Sequence, residues 1–142
     1  MKEIKAYIQR CCVNEAVNRL EAAGAPGITV VEVHPVGYGY EPNYFEMHFE
    51  NPLKRYGLLR IVKVEVVCAE RDVDRLVGTI ERVCRKGSQG DGWIFVTDVD
   101  RTIRIRDGAS GETPLIENRI PDGSDRSRAL DCKSQTGRRR KI

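Results

Sequence analysis

Gly90-Asp91-Gly92 runs into an apolar stretch, Trp93-Ile94-Phe95-Val96. Glycine has no Cβ, so its backbone N–H groups can turn toward an anion without obstruction. The same triplet also suits an ordinary helix-to-strand turn. Shortly after comes Arg104-Ile105-Arg106. On a strand, alternation would put both guanidiniums on one face, roughly 7 Å apart. Arginine favours bidentate contact with phosphate, although such a pair alone also reads as a solvated strand face. Together, Gly90, Asp91, Gly92, Arg104 and Arg106 point to a site for a polyphosphate.

Other reactive residues are less organised. The five cysteines are Cys11, Cys12, Cys68, Cys84 and Cys132. Their number is odd and no C-x-x-C pair exists, which argues against a disulfide framework or a zinc ribbon. Cys11, Cys12 and Cys132 suit either a redox role or incidental thiols. The two histidines, His34 and His48, would both be needed for a His-based metal site. Arg138-Arg139-Arg140-Lys141 reads as a solvated terminal run, and nucleic acid is not expected to bind it. There is no G-x-S-x-G, no full Walker loop and no H-E-x-x-H, so the chain is expected not to be an enzyme.

These residues need elements to hold them. Lys2–Gln9 alternates, with Ile4, Ala6 and Ile8 on one side, and predicts a half-buried strand. Val13, Ala16, Val17, Leu20 and Ala23 recur at helical spacing, and Gly24 stands where a C′ residue belongs. Ile28–Val33 is a β-branched run, a second strand. Residues 37–57 lose all periodicity over about twenty positions, long for a connection within one domain. Leu58–Cys68 predicts a third strand, with Ile61 and Val67 on the face opposite Val62, Val64 and Val66. Asp72 is placed to cap a helix whose stripe is Val73, Leu76, Val77, Ile80 and Cys84. Trp93–Val96 and Thr102–Arg106 predict two more strands. The order β-α-β, loop, β-α-β predicts an α+β ferredoxin-like double βαβ sandwich. It has one antiparallel sheet with both helices on one face. The other face, including Tyr7, Ile61 and Val67, favours association of copies through the sheet.

The chain of 142 residues is 40% hydrophobic and 32% charged, enough apolar residues for one real core and against wholesale disorder. No apolar run suggests a membrane span or a secretory leader, so a cytoplasmic protein without membrane insertion is expected. Net charge is +3, but unevenly spread. Residues 1–118 carry 16 Lys/Arg against 18 Asp/Glu, and residues 119–142 carry 8 against 3. The expected organisation is a folded unit over 1–112 and a basic, largely disordered tail over 113–142.

The chain resembles the PII nitrogen-regulatory signal proteins. The matching stretches are Met1-Lys2-Glu3-Ile4-Lys5-Ala6, Gly27-Ile28-Thr29-Val30-Val31-Glu32-Val33 through Gly37, and Lys63-Val64-Glu65. Further matches are Gly90-Asp91-Gly92 with Ile94-Phe95-Val96, and Ile103-Arg104-Ile105-Arg106-Asp107-Gly108. They keep the family's order over residues 1–112. The resemblance implies a homotrimer that binds adenine nucleotides in clefts between subunits. It places Thr29, Glu65 and Val67 at the adenine pocket. Gly37 begins a loop closing over the phosphates, Gly90, Asp91 and Gly92 form the phosphate loop, and Arg104 and Arg106 form a phosphate clamp. Residues 37–57 correspond to the T-loop, which engages a target.

Departures from the family pattern shape the expectation further. Gly39 replaces a Gln that helps hold Mg²⁺ and 2-oxoglutarate, Trp93 replaces a Lys after the glycine loop, and Ile61 falls where a basic residue is usual. The modifiable-tyrosine motif is absent, so no uridylylation is expected. These changes resemble a divergent PII-like branch. They imply ADP or AMP as favoured effectors, ATP as an acceptable one, and a second small anion such as bicarbonate. The regulated partner would be a membrane transporter or a metabolic enzyme. The alternatives are a metal-responsive ferredoxin-like trimer using His34, His48 and cysteines, a typical nitrogen regulator sensing ATP and 2-oxoglutarate, and slow nucleotide hydrolysis in the same cleft.

Overall fold

A computed structural model of the chain describes residues 1–35, 61–87 and 90–117. The elements in order are β1 (Lys2–Gln9), α1 (Val13–Ala22), β2 (Thr29–Val33), β3 (Ile61–Cys68), α2 (Val73–Cys84), β4 (Trp93–Asp98) and the single-turn α3 (Thr113–Ile116). The strands form one sheet in the order β2-β3-β1-β4. Each neighbouring pair is antiparallel. The double βαβ order therefore folds as a ferredoxin-like sandwich.

Period-two patterning positions β1 and β3. Ile4, Ala6 and Ile8 are buried from β1, and Val62, Val64, Val66 and Cys68 from β3. Opposite them lie Ala16 and Leu20 of α1 and Leu76, Ile80 and Cys84 of α2, all in one core cluster. Each large aliphatic side chain fully removed from water contributes about 1.5–3 kcal/mol.

The helix ends are set locally. α1 stops in a Schellman arrangement: Ala25 N–H donates to the Leu20 carbonyl at 3.0 Å, and Gly24 N–H to that of Glu21 at 2.9 Å. Gly24 supplies the left-handed backbone this requires, at φ 78°. Asp72 precedes α2 but makes no side-chain cap. The 3-10 turn Glu70–Asp72 already puts its backbone in the helical region, and its carboxylate accepts from Arg75 instead.

The register puts Glu3, Lys5 and Tyr7 on the sheet face away from the helices, beside Lys63, Glu65 and Val67 of β3 and Trp93 and Phe95 of β4. Tyr7 meets Phe95 edge-on at 5.9 Å between ring centroids. Trp93 stacks on Phe95 at 6.3 Å. Ion pairs Lys5–Glu3 (3.0 Å) and Lys63–Glu65 (2.7 Å) also lie on this face. Ile61 is only 5% exposed, while Trp93 is 51% exposed.

The expected strand over Thr102–Arg106 does not form. Ile103 makes one isolated bridge, to Ser110. The chain then reverses: Gly108 N–H donates to the Arg104 carbonyl at 2.9 Å and Arg104 N–H to that of Ala109 at 2.8 Å. Asp107 Oδ1 accepts from Ala109 N–H at 3.2 Å, and Gly108 takes φ 71°. An aspartate turn followed by a left-handed glycine ends extension after three residues. Thr113–Ile116, the start of the segment read as tail, forms one helical turn. Residues 118–142, the loop 37–57, His48 and Cys132 lie outside the described residues.

Candidate functional site

The glycine loop follows α2 and is organised by one carboxylate. Asp91 Oδ2 accepts the backbone N–H of Lys86 at 2.7 Å and of Gly87 at 2.8 Å. Gly90 and Gly92 sit at φ 96° and 117°. Residues with a Cβ rarely adopt such angles. From β1, Gln9 Nε2 donates to the Gly90 carbonyl at 3.1 Å. Lys86 Nζ lies 3.3 Å from Gln9 Oε1 and 3.3 Å from Cys11 Sγ. The loop is thus tied to the last residue of β1 and carries an ammonium group. Beside it, a groove of about 420 Å³ between α2 and β4 is lined by Val77, Ile80, Cys84, Asp91, Gly92 and Trp93 among others.

Arg104 and Arg106 do not share a strand face, because the turn begins between them. Arg104 is largely covered, at 17% side-chain exposure, whereas Arg106 is 70% exposed. The Arg104 guanidinium straddles the Asp107 carboxylate, with Nε 3.0 Å from Oδ1 and Nη2 2.8 Å from Oδ2. Its Nη1 donates to Glu117 Oε2 at 3.2 Å. Arg106 Nε stands 3.7 Å from Asp107 Oδ2. Arg104, and then the Ala109 N–H, hold the Asp107 carboxyl down to about 2.

The remaining candidates lie on the sheet. Thr29, exposed, is opposite Glu65 in the β2–β3 register. Glu65 accepts from Lys63 Nζ at 2.7 Å and keeps that ammonium above its usual value. Val67 pairs with Glu3. Gly37 lies outside the described residues.

The structure divides these residues into two sets. Gly90, Asp91 and Gly92 lie where β4 starts, opposite Tyr7 of β1. The arginine hairpin follows the end of β4, where Asp98 is opposite Lys2 and Val99 N–H donates to the Met1 carbonyl at 3.0 Å. Lys2 and Tyr7 are about 17 Å apart along the strand, at about 3.4 Å per residue. Val67 registers toward the arginine end, opposite Glu3, whereas Glu65, and Thr29 across from it, register with Lys5 near the middle of β1. The expectation of one polyphosphate site joining loop and arginines fails within a single chain: β4 carries the chain from one end of the sheet to the other.

Sequence reasoning missed three residues around these sets. Gln9 and Lys86 secure the glycine loop, and Glu117 covers Arg104. Gln9 and Gly90 are far apart in the sequence, and a lone Gln carries no signal of such a contact. Among the described residues, no three His, Cys, Asp or Glu side chains gather as metal ligands would. His34 is exposed. No helix among them is long and apolar enough to cross a membrane.

Sheet order and helix placement define the class: a ferredoxin-like double βαβ protein with a carboxylate-closed glycine loop. Residues 1–109 match the family model "Nitrogen regulatory protein P-II", and the chain belongs to that family of signal-transduction proteins of nitrogen regulation. It is 42% identical over 112 residues to nitrogen regulatory protein P-II 2 of Methanothermobacter thermautotrophicus, covering 79% of this chain and 95% of that protein. It is 36% identical over 115 residues to nitrogen regulatory protein P-II 1 of Escherichia coli K12, covering 81% of this chain and 100% of that protein. A nitrogen fixation nifHD region GlnB-like protein 2 of Methanothermococcus thermolithotrophicus is 33% identical over 128 residues, covering 81% of this chain and 98% of that protein.

Proposed function

We propose that this chain is a non-enzymatic regulator that binds adenine nucleotides between copies of itself, as a homotrimer. The nucleotide is ADP or AMP in preference to ATP. The carrying observation is the separation of the two residue sets along β1 and β4. Gly90, Asp91 and Gly92 of one copy offer backbone N–H groups to the phosphates. Thr29, Glu65 and Val67 of the next copy meet the adenine, and its Arg104 and Arg106 meet the phosphates. Neither set alone encloses a nucleotide. The open sheet face, with Tyr7, Trp93 and Phe95, supplies apolar area for the contact between copies.

The preference for less charged nucleotides rests on Trp93, which brings an indole rather than a cation next to the loop. Arg104 also arrives already paired with carboxylates. Nucleotide binding controls the engagement of a transporter or a metabolic enzyme through residues 37–57, beginning at Gly37. For that, nucleotide must bind two loop states unequally.

The test is calorimetric titration with ATP, ADP and AMP, with and without Mg²⁺, 2-oxoglutarate and bicarbonate. Trp93 is the single tryptophan of the chain, so its emission gives a second readout at the loop. ADP or AMP binding that disappears in Arg104→Ala/Arg106→Ala while the assembly persists supports the reading. Unchanged affinity in that variant rejects the site. Joint binding of Mg-ATP and 2-oxoglutarate rejects the effector preference.

A further inference from the structure

Cys11 and Cys12 are neighbours in a 3-10 turn that leads into α1, yet their surroundings differ. Cys11 is exposed and Cys12 is buried; their sulfurs are 3.8 Å apart. The Lys86 ammonium reaches across from the glycine loop to 3.3 Å from Cys11 Sγ. Gln9 Oε1 accepts from the same ammonium at 3.3 Å, which fixes its position. Gln9 Oε1 also lies 3.6 Å from Cys11 Sγ and accepts a hydrogen bond from the thiol when Cys11 is neutral. The N-terminal end of α1 adds a favourable dipole for negative charge. Lys86 foremost, and then Cys12, lower the pKa of Cys11. Burial acts the other way on the remaining described thiols: it raises Cys12 and Cys68, and pushes Cys84 up to about 12.

We propose that Cys11 is a modification site, an exposed thiolate held by Lys86 that exchanges with low-molecular-weight disulfides. The Cys11 thiolate attacks one sulfur of the disulfide. A bond forms between Cys11 Sγ and that sulfur, and the original S–S bond breaks. Its electron pair leaves with the other sulfur as a thiolate, which takes a proton from water. Cys11 is oxidised and the departing half of the disulfide is reduced. Lys86 is a positioning residue here: it stabilises the anion and takes no part in bond making. The exchange removes the negative charge facing Lys86, whose own backbone N–H binds Asp91. The state of the thiol is thereby linked to the glycine loop. The proposed exchange stands independently of nucleotide binding.

The experiment is rapid-mixing reaction of the reduced full chain with 4,4′-dithiodipyridine across the pH range around neutrality. Peptide mass mapping identifies the thiol labelled first, which separates Cys11 from Cys132. The expected result is a fast phase mapped to Cys11 and lost in Cys11→Ser. Lys86→Met should slow that phase about tenfold at neutral pH and move its midpoint upward, converging with the native chain at high pH, where both are thiolate. Lys86→Arg should retain the fast phase, because it keeps the cation. A first label on another cysteine overturns the proposal. So does a Cys11 pH profile unmoved by Lys86→Met in a variant whose circular dichroism matches the native chain.

Discussion

Arg104 and Asp107 form a two-point ion pair across one tight turn, with Arg104 Nη2 2.8 Å from Asp107 Oδ2 and Nε 3.0 Å from Oδ1. A phosphate approaching Arg104 must compete with this carboxylate and with Glu117. Asp107→Asn keeps an acceptor for the Ala109 N–H, so the turn persists, but it removes the competing charge. ADP affinity should rise several-fold, about 1 kcal/mol, the size of a typical net hydrogen-bond contribution. Calorimetric titration measures it. Weaker or unchanged binding would mean that Arg104 is not a phosphate ligand.

The same pair has a pH signature. The Asp107 carboxyl is held down to about 2, first by Arg104 and then by the Ala109 N–H. A depressed pKa stabilises the fold above the ordinary carboxylate range, and the contribution is lost as pH falls toward 2. Carbon-detected NMR of the Asp107 carboxyl should therefore show its titration well below that of an unperturbed aspartate. Arg104→Ala should return it toward the ordinary value. A native Asp107 that titrates like a free aspartate would contradict the pairing.

Leu76 separates folding from binding. It lies on α2 with no exposed surface, packed in the central cluster. Leu76→Ala should cost about 2–5 kcal/mol in denaturant unfolding at fixed protein concentration, because a cavity adds to the lost transfer energy. A loss below about 1 kcal/mol would show that the helix layer collapses onto the gap or packs less tightly than described.

What could be read from the sequence follows the reach of each signal. Ile4, Ala6 and Ile8 alternate over a full strand, and Leu76, Ile80 and Cys84 repeat over about two helical turns. Their periods name both the element and its buried face. Arg104-Ile105-Arg106 alternates over only three residues, and Asp107-Gly108 overrides it with turn chemistry. Gly92 and Arg104 look adjacent in sequence, yet an intervening strand separates them in space. The Lys86–Cys11 contact joins residues 75 apart in sequence, and the Arg104–Glu117 contact depends on the chain returning past the hairpin. Neither leaves a local pattern, so tertiary placement alone reveals them.

That separation makes a site shared between copies testable by complementation. Chains carrying Arg104→Ala/Arg106→Ala keep an intact glycine loop. Chains carrying Asp91→Ala/Gly92→Val keep intact arginines. Each variant alone should bind no nucleotide. In a closed ring of three copies, a mixed ring has one junction where an intact loop meets intact arginines. Random mixing in equal amounts should then restore about one quarter of the native sites, the share expected for a cyclic trimer. Co-refolding the two variants and titrating the mixture with ADP gives this stoichiometry directly. A site contained within one chain would restore none, because every chain in the mixture lacks one half of it.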